Sequence, residues 1–345
     1  MGVAVAEDQE LTLPPLEERP LVTFALFEYN QEKYIREAVE GAFAQTYEPL
    51  EIILSDDCST DRTFEIMEEM AAGYMGPHKI ALRRPNQNLG LARGVSEVSK
   101  LGNGELIIAA AGDDISTPNR TEVLVATWIK YGKISGSIYS HFIPISEDGS
   151  LVTPPSRWPE WRISLSDRQL FMLNDYSGLS GCAHAWTKDI FEIFGPINDH
   201  INHEDLIIPL RALLIGSIIF TPKDLVYYRL THGSITRRSF SSAKERFTKM
   251  GKYWADRAAI FEQFRSDIKT SPPLKFANAS DLEWLVEDLN GADQRARTMA
   301  RFYNGSGIQR ISIAFKPNVA FSMSQKIKLL ILALAPWMYG LKIPK

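Results

Sequence analysis

A chain of 345 residues, 45% hydrophobic and 23% charged, can bury one large core or two ordinary ones and is not generally disordered. Its formal net charge of −4 argues against a protein that works on nucleic-acid backbones. Two cysteines, Cys58 and Cys182, form no disulfide framework and fit a reducing compartment.

Residues 1–20 are acidic and contain proline, without a basic n-region or a long apolar run. They read as a disordered lead-in, not as a signal peptide. An apolar strand over 21–27 follows and ends at Glu28-Tyr29-Asn30. Apolar residues at helical spacing then predict a helix over 32–45. A second strand, 51–55, runs into Asp56-Asp57-Cys58-Ser59-Thr60-Asp61, with Ser59 or Thr60 as N-cap of a helix over 63–70. The alternation continues through a strand at 79–82, a helix at 88–100 entered at Gly90, and an apolar strand at 105–111 that meets Asp113-Asp114. A helix at 118–131 and a strand from 137 complete a βαβ series, which implies a mostly parallel sheet. Ligands of such sheets lie outside the carboxyl ends of the strands, where these polar clusters fall.

The second half is less regular. Residues 144–162 read as loop, 179–187 as strand and 203–214 as a helix whose first turn carries Glu204 and Asp205. Short strands at 218–220 and 225–228 lead to Arg229, Thr231, His232 and Ser234. From about 241 the pattern is helical to the end. The apolar stretch 329–341 is shorter than the ~20 residues that span a bilayer. Its flanking lysines and Trp337 and Tyr339 suit a membrane surface, while a core helix or a contact between copies explains the same pattern.

Several clusters carry chemistry. Asp56-Asp57 after a strand reads as a turn or as acceptors for a base or ribose. Asp113-Asp114 at the end of an apolar strand suits Mg²⁺ or Mn²⁺ bridging to phosphates. Glu204-Asp205 is favoured by the helix dipole and could equally supply a general base. Arg229 and His232 could meet a diphosphate or its metal. No Walker-type phosphate loop, dinucleotide glycine motif, zinc spacing or nucleophile elbow is present.

Taken together and in this order, the segments resemble the family 2 glycosyltransferases of the GT-A fold. Residues 22–30, Gln45-Thr46-Tyr47 with 51–61, Asn88-x-Gly90 with Ala92-Arg93, the run 104–118 and Glu204-Asp205 with Tyr228-Arg229 carry the resemblance. The chain departs from the family pattern in four places. Phe27-Glu28 stands where Pro-Thr is usual, Ala111 where the first Asp of the metal motif is usual, Arg229 and His232 are one residue further apart than usual, and no Gln-x-x-Arg-Trp is present.

The resemblance implies an α/β GT-A nucleotide-sugar-binding domain over 21–240, a mostly parallel mixed sheet flanked by helices. A helical C-terminal region over 241–345 would follow, capable of membrane or oligomer contact. It implies an inverting transfer from a nucleoside-diphosphate sugar, favouring UDP, to a hydroxyl of a glycan or lipid-linked acceptor of the bacterial surface-polysaccharide type. Tyr29 and Asp57 would hold the base with Arg93 nearby. Asp113 would hold Mn²⁺ or Mg²⁺, with His232 as a further ligand. Asp114, Glu204 and Arg229 would contact substrate, and Asp205 would be the catalytic base. The expected location is the cytoplasm or the inner face of its membrane. The competing readings are a nucleotidyltransferase, which lacks its glycine-rich basic loop here, a receiver-like module, which is far shorter, and a catalytically lapsed homologue.

Overall fold

The computed structural model describes residues 3–5, 11–153, 179–231, 242–271, 279–315 and 329. The chain forms two compact units, Met1–Ser234 with Asp267–Ala277, and Ile235–Ser266 with Asn278–Lys345.

The first unit is built on a nine-stranded sheet. Its elements run β1 (Val3–Val5), β2 (Val22–Glu28), α1 (Ile35–Phe43), β3 (Leu50–Asp56), α2 (Thr63–Ala72), β4 (Lys79–Arg83), α3 (Leu91–Leu101), β5 (Leu106–Ala111), β6 (Ile115–Ser116) and α4 (Arg120–Lys130). They continue as β7 (Gly136–Ile145), β8 (His184–Thr187), α5 (Asp189–Phe194), α6 (Glu204–Ile215) and β9 (Ser217–Arg229). The strand order is β1-β9-β7-β8-β5-β2-β3-β4, with β6 paired to β9. Strands β5, β2, β3 and β4 are mutually parallel, and β8 inserts antiparallel between β5 and β7.

The central strands are apolar because both faces are covered. Val22, Phe24 and Leu26 of β2 pack with Ile52, Leu54, Ile108, Leu124 and Val125 in one core. Helix α1 buries Ile35, Ala38, Val39 and Ala42 against it, the i, i+3, i+4, i+7 stripe of an amphipathic helix. The Gln45-Thr46-Tyr47 motif is structural. The Gln45 side chain donates to the Gly41 and Thr117 carbonyls, each at 2.9 Å, and its oxygen accepts the Thr121 N–H at 3.0 Å. The Tyr47 hydroxyl donates to the Pro20 carbonyl at 2.6 Å.

Five local expectations are corrected. Residues 1–20, expected to be disordered, include β1, which pairs with β9, a 3-10 turn at Leu16–Glu18, and Leu13, which packs on the core. Helix α2 begins at Thr63 with Arg62 at its N-cap position, not Ser59 or Thr60, because Ser59 Oγ accepts the Asn30 N–H at 2.8 Å instead. Helix α3 begins at Leu91 instead of 88, since the Leu89 and Gly90 amides are held by Asp57. The segment 179–187 is a short 3-10 turn, Gly181–Ala183, followed by β8. The strands at 218–220 and 225–228 are one strand, β9, which carries exposed Pro222 past a register shift against β7 at Ser140–Phe142.

The second unit contains α7 (Ala243–Thr270), whose last turn belongs to the first unit, with α8 (Ala279–Asn304) and α9 (Gly307–Phe315). Phe247, Phe302, Tyr303 and Leu329 form its core. Arg265 and Arg297 both pair with Asp293, at 2.9 and 2.8 Å. Among the described residues no helix is long and apolar enough to cross a membrane. The membrane-surface expectation for 326–345 lies outside the described residues, Leu329 excepted, as does most of the 144–162 loop.

Candidate active site

Parallel register levels the ends of three strands. Glu28 of β2 pairs with Asp56 of β3, and Phe27 pairs with Ala111 of β5. Strand alternation puts Glu28 on the face of Phe24 and Leu26, and Asp56 on that of Ile52 and Leu54. The loops after β2 and β3 are then tied together. Besides the Asn30–Ser59 bond, Asn30 Oδ1 accepts the Thr60 N–H at 2.8 Å, and the Gln31 N–H donates to Thr63 Oγ1 at 2.7 Å. Asp56 Oδ2 accepts the Ser59 N–H at 2.9 Å and lies 3.4 Å from Arg84 Nε. The acid-serine-acid pattern thus folds its own loop, with Asn30 and Cys58 both at positive φ.

Tyr29 stands at the rim, 45% exposed. Beside it, Asp57 gives both carboxylate oxygens to the main chain, accepting the Leu89 N–H at 2.9 Å and the Gly90 N–H at 2.8 Å. Arg93, on α3, reaches Glu97 at 3.3 Å and Asp199 at 3.2 Å. Tyr29, Asp57 and the start of α3 therefore gather at one end of the sheet, with Asp57 shaping the loop.

Asp113 is half-buried and Asp114 buried. Burial raises the pKa of both, and Asp113 pushes Asp114 further up. Arg229 and Thr231 oppose the rise at Asp113. Arg229 points inward. Its Nε donates to the Asp113 carbonyl at 2.9 Å, its Nη1 to the Glu147 carbonyl at 3.0 Å and its Nη2 to Glu37 at 2.8 Å, with the guanidinium 4.9 Å from the Tyr34 ring centroid. It braces the acidic turn instead of facing outward. His232 lies outside the described residues.

Glu28 is 4% exposed, and neither carboxylate oxygen has a hydrogen-bond partner in the protein. Burial drives its pKa well above the usual carboxylate range, and Asp113 and Asp56 add to the rise. A Cβ on Gly112 would lie 1.6 Å from each of its oxygens, so glycine is what admits this side chain.

Glu204 and Asp205 open α6. Glu204 is buried, and burial, with Asp205 next, raises its pKa. The turn Gly181–Ala183 joins the two acidic pairs. A Cβ on Gly181 would sit 2.6 Å from Glu204 Oε1, and Cys182 lies beside Asp114. Behind this turn, buried His184 stacks on Tyr139 with centroids 3.9 Å apart.

Residues 27–194 match the family described as Glycosyl transferase family 2. Over these residues the chain carries a glycosyl transferase family 2 domain. The chain is 28% identical over 235 residues to an uncharacterized protein of Mycobacterium tuberculosis, covering 66% of this chain and 62% of that one. It is 26% identical over 230 residues to an uncharacterized glycosyltransferase of Rickettsia typhi, covering 66% and 69%. The matched region thus spans about 62% of the length of the first of these relatives. Among solved structures, Staphylococcus aureus TarS 1-349 in complex with UDP aligns with a TM-score of 0.56 at 13% identity, over 94% of this chain and 93% of that one. At that identity the likeness establishes the fold, which is GT-A.

The glycosyltransferase family uses divalent metal, and the acids here can be tested for it. Among the described residues, no three His, Cys, Asp or Glu side chains form a metal cage. Mg²⁺ and Mn²⁺ need none, since one or two carboxylates plus substrate phosphates suffice. Asp113 at the rim and the unpartnered oxygens of Glu28 fit that requirement. The burial of Glu28 has one signal in the sequence, an acid closing an apolar strand. The Tyr139–His184 stack had no signal of its own.

Proposed function

We propose that this glycosyltransferase moves a sugar from a nucleoside diphosphate, UDP by preference, to a hydroxyl of a glycan or lipid-linked acceptor, with inversion. The observation that supports this reading is the turn Gly181–Ala183, which lies beside both Asp114 and Glu204 and so brings the two acidic pairs, read here as donor and acceptor sides, to one place. UDP bound to TarS, a protein of like fold, supports the choice of nucleotide.

In this reading Tyr29 offers a ring face to the base, and Asp57 fixes the Leu89–Gly90 amides beside it. Asp113 would hold a divalent cation, Mn²⁺ or Mg²⁺, which would offset charge on the leaving diphosphate. Asp205 accepts the proton of the acceptor hydroxyl as its oxygen attacks the anomeric carbon. The bond from that carbon to the diphosphate oxygen breaks in the same displacement, so one base suffices and no covalent nucleophile is needed. Arg229 keeps the Asp113–Asp114 turn in place. A lipid-linked acceptor would set the enzyme at the inner face of the cytoplasmic membrane.

The test is hydrolysis of UDP-, GDP- and dTDP-sugars without acceptor, with Mn²⁺ present. Slow release of one nucleoside diphosphate supports the reading and identifies the donor. Tight binding without release points to a lapsed homologue, and no binding of any donor overturns it.

A further inference from the structure

We infer that Glu28 is the second carboxylate of the divalent-cation site, acting with Asp113 on the donor diphosphate. The inference rests on the donor reading above.

Position 111, at the end of β5, is alanine and offers no oxygen. The strand beside it supplies one instead. Phe27 is in register with Ala111, so Glu28 comes level with the turn that carries Asp113. Its carboxylate occupies the space that a side chain at Gly112 would fill, 1.6 Å from a Cβ built there. It therefore lies against the main chain between Ala111 and Asp113.

The surroundings are acidic. The charges that act on Glu28 are those of Asp113, then Asp56, Asp114 and Asp61. The nearby buried cations have other partners. Arg229 bonds Glu37 and main-chain carbonyls, and Arg120 bonds Ser116 Oγ and the Ala109 and Cys182 carbonyls. A buried carboxyl with both oxygens unpartnered is rare, because its desolvation is not offset. A carboxylate with no protein partner, close enough to feel the charge of Asp113, matches the oxygen-donor preference of Mn²⁺ or Mg²⁺. A ribose hydroxyl would use one oxygen of Glu28 but would leave its acidic neighbours uncompensated.

The experiment titrates Mn²⁺ into the full-length chain by electron paramagnetic resonance, with and without UDP, and measures UDP affinity calorimetrically with and without Mn²⁺. Glu28→Gln, which keeps the shape, and Asp113→Asn are each expected to weaken Mn²⁺ binding by at least about 10-fold. Metal-free UDP affinity should stay near the wild-type value in Glu28→Gln. Wild-type Mn²⁺ affinity in Glu28→Gln overturns the inference. So does an equal loss of UDP affinity with and without metal, which marks a ribose contact. A wild-type chain that binds UDP but no Mn²⁺ overturns the inference and leaves the donor reading standing. Glu28-dependent Mn²⁺ binding without any affinity for nucleotides keeps the cation site and overturns the donor reading. Binding of neither overturns both. If Glu28→Gln does not fold, Glu28→Asp is read in the same way, since retracting the carboxylate by one methylene must also weaken the cation.

Discussion

The main-chain N–H of Arg229 donates to Asp114 Oδ1 across 2.8 Å, joining the end of β9 to the acidic turn after β5. The Arg229 side chain completes the clamp through the Asp113 carbonyl at 2.9 Å. The residue that the motif suggested for the diphosphate is thus buried beneath the acids, and its first effect is on their position.

Arg229→Met should therefore destabilise the fold by about 2–4 kcal/mol, since carbonyls and Glu37 lose a charged donor. Urea unfolding monitored by circular dichroism measures this. A diphosphate ligand exposed to solvent would show the opposite pattern, an unchanged midpoint with weakened UDP binding.

Gly112→Ala puts a methyl group where the Glu28 carboxylate lies. The expected cost is about 1–3 kcal/mol of overpacking. The double variant Gly112→Ala/Glu28→Ala should recover most of it, because the obstacle is gone. Additive effects in the cycle would mean that the two residues do not share that space.

An element is legible in the sequence where its own residues explain its burial. The stripe Ile35, Ala38, Val39 and Ala42 and the apolar runs of β2 and β5 signal their own burial. The strand-end acids were legible as a group because parallel strands end together. What escaped were bonds between distant segments. Asp57 reads as an acceptor for a base, and what its own segment does not show is that its oxygens also meet amides of a loop that only folding brings near. Ser59 read as a helix cap, yet the chain after β2 takes its hydroxyl. Glu28 was visible as an acid, but its environment depends on a glycine in another strand's turn.

His184 should make the enzyme sensitive to acid. It is fully buried, and burial first and Arg120 second hold its pKa well below the ordinary value. Tyr139 stacks on it and Trp186 meets it edge-on, at 3.9 and 5.2 Å between centroids. The folded state stays neutral there, while the unfolded chain takes up a proton near pH 6.5. Stability from this residue is complete above about pH 6.5 and falls below it, by up to about 1.4 kcal/mol per pH unit. His184→Phe should flatten that limb in unfolding midpoints measured from pH 7 to 5, and an unchanged slope would contradict the assignment.

Asp57→Ala should free the Leu89–Gly90 loop without unfolding the sheet. The loop loses two hydrogen bonds to a charged acceptor, each worth about 1.5–3 kcal/mol. Amide exchange at Leu89 and Gly90 should accelerate by at least about 10-fold, while the β2 and β3 amides stay protected. UDP affinity should fall with it if the loop borders the base. Wild-type exchange at both amides would show that Asp57 does not hold them.

The catalytic assignment is tested at the first turn of α6. Asp205 and Glu204 are adjacent, but Glu204 is buried against Gly181 with its pKa raised, which suits a residue that stays protonated and positions its neighbour. Asp205→Asn keeps the shape and removes the basicity. Turnover should fall by roughly 10²–10⁴-fold, the usual range for losing a general base, with donor affinity unchanged. Glu204→Gln preserves the neutral form that burial favours, so its loss should be smaller. Single-turnover rates, with UDP affinity measured in parallel, separate chemistry from binding. An inactive Glu204→Gln beside an active Asp205→Asn would move the base by one residue, to the side chain that Gly181 makes room for.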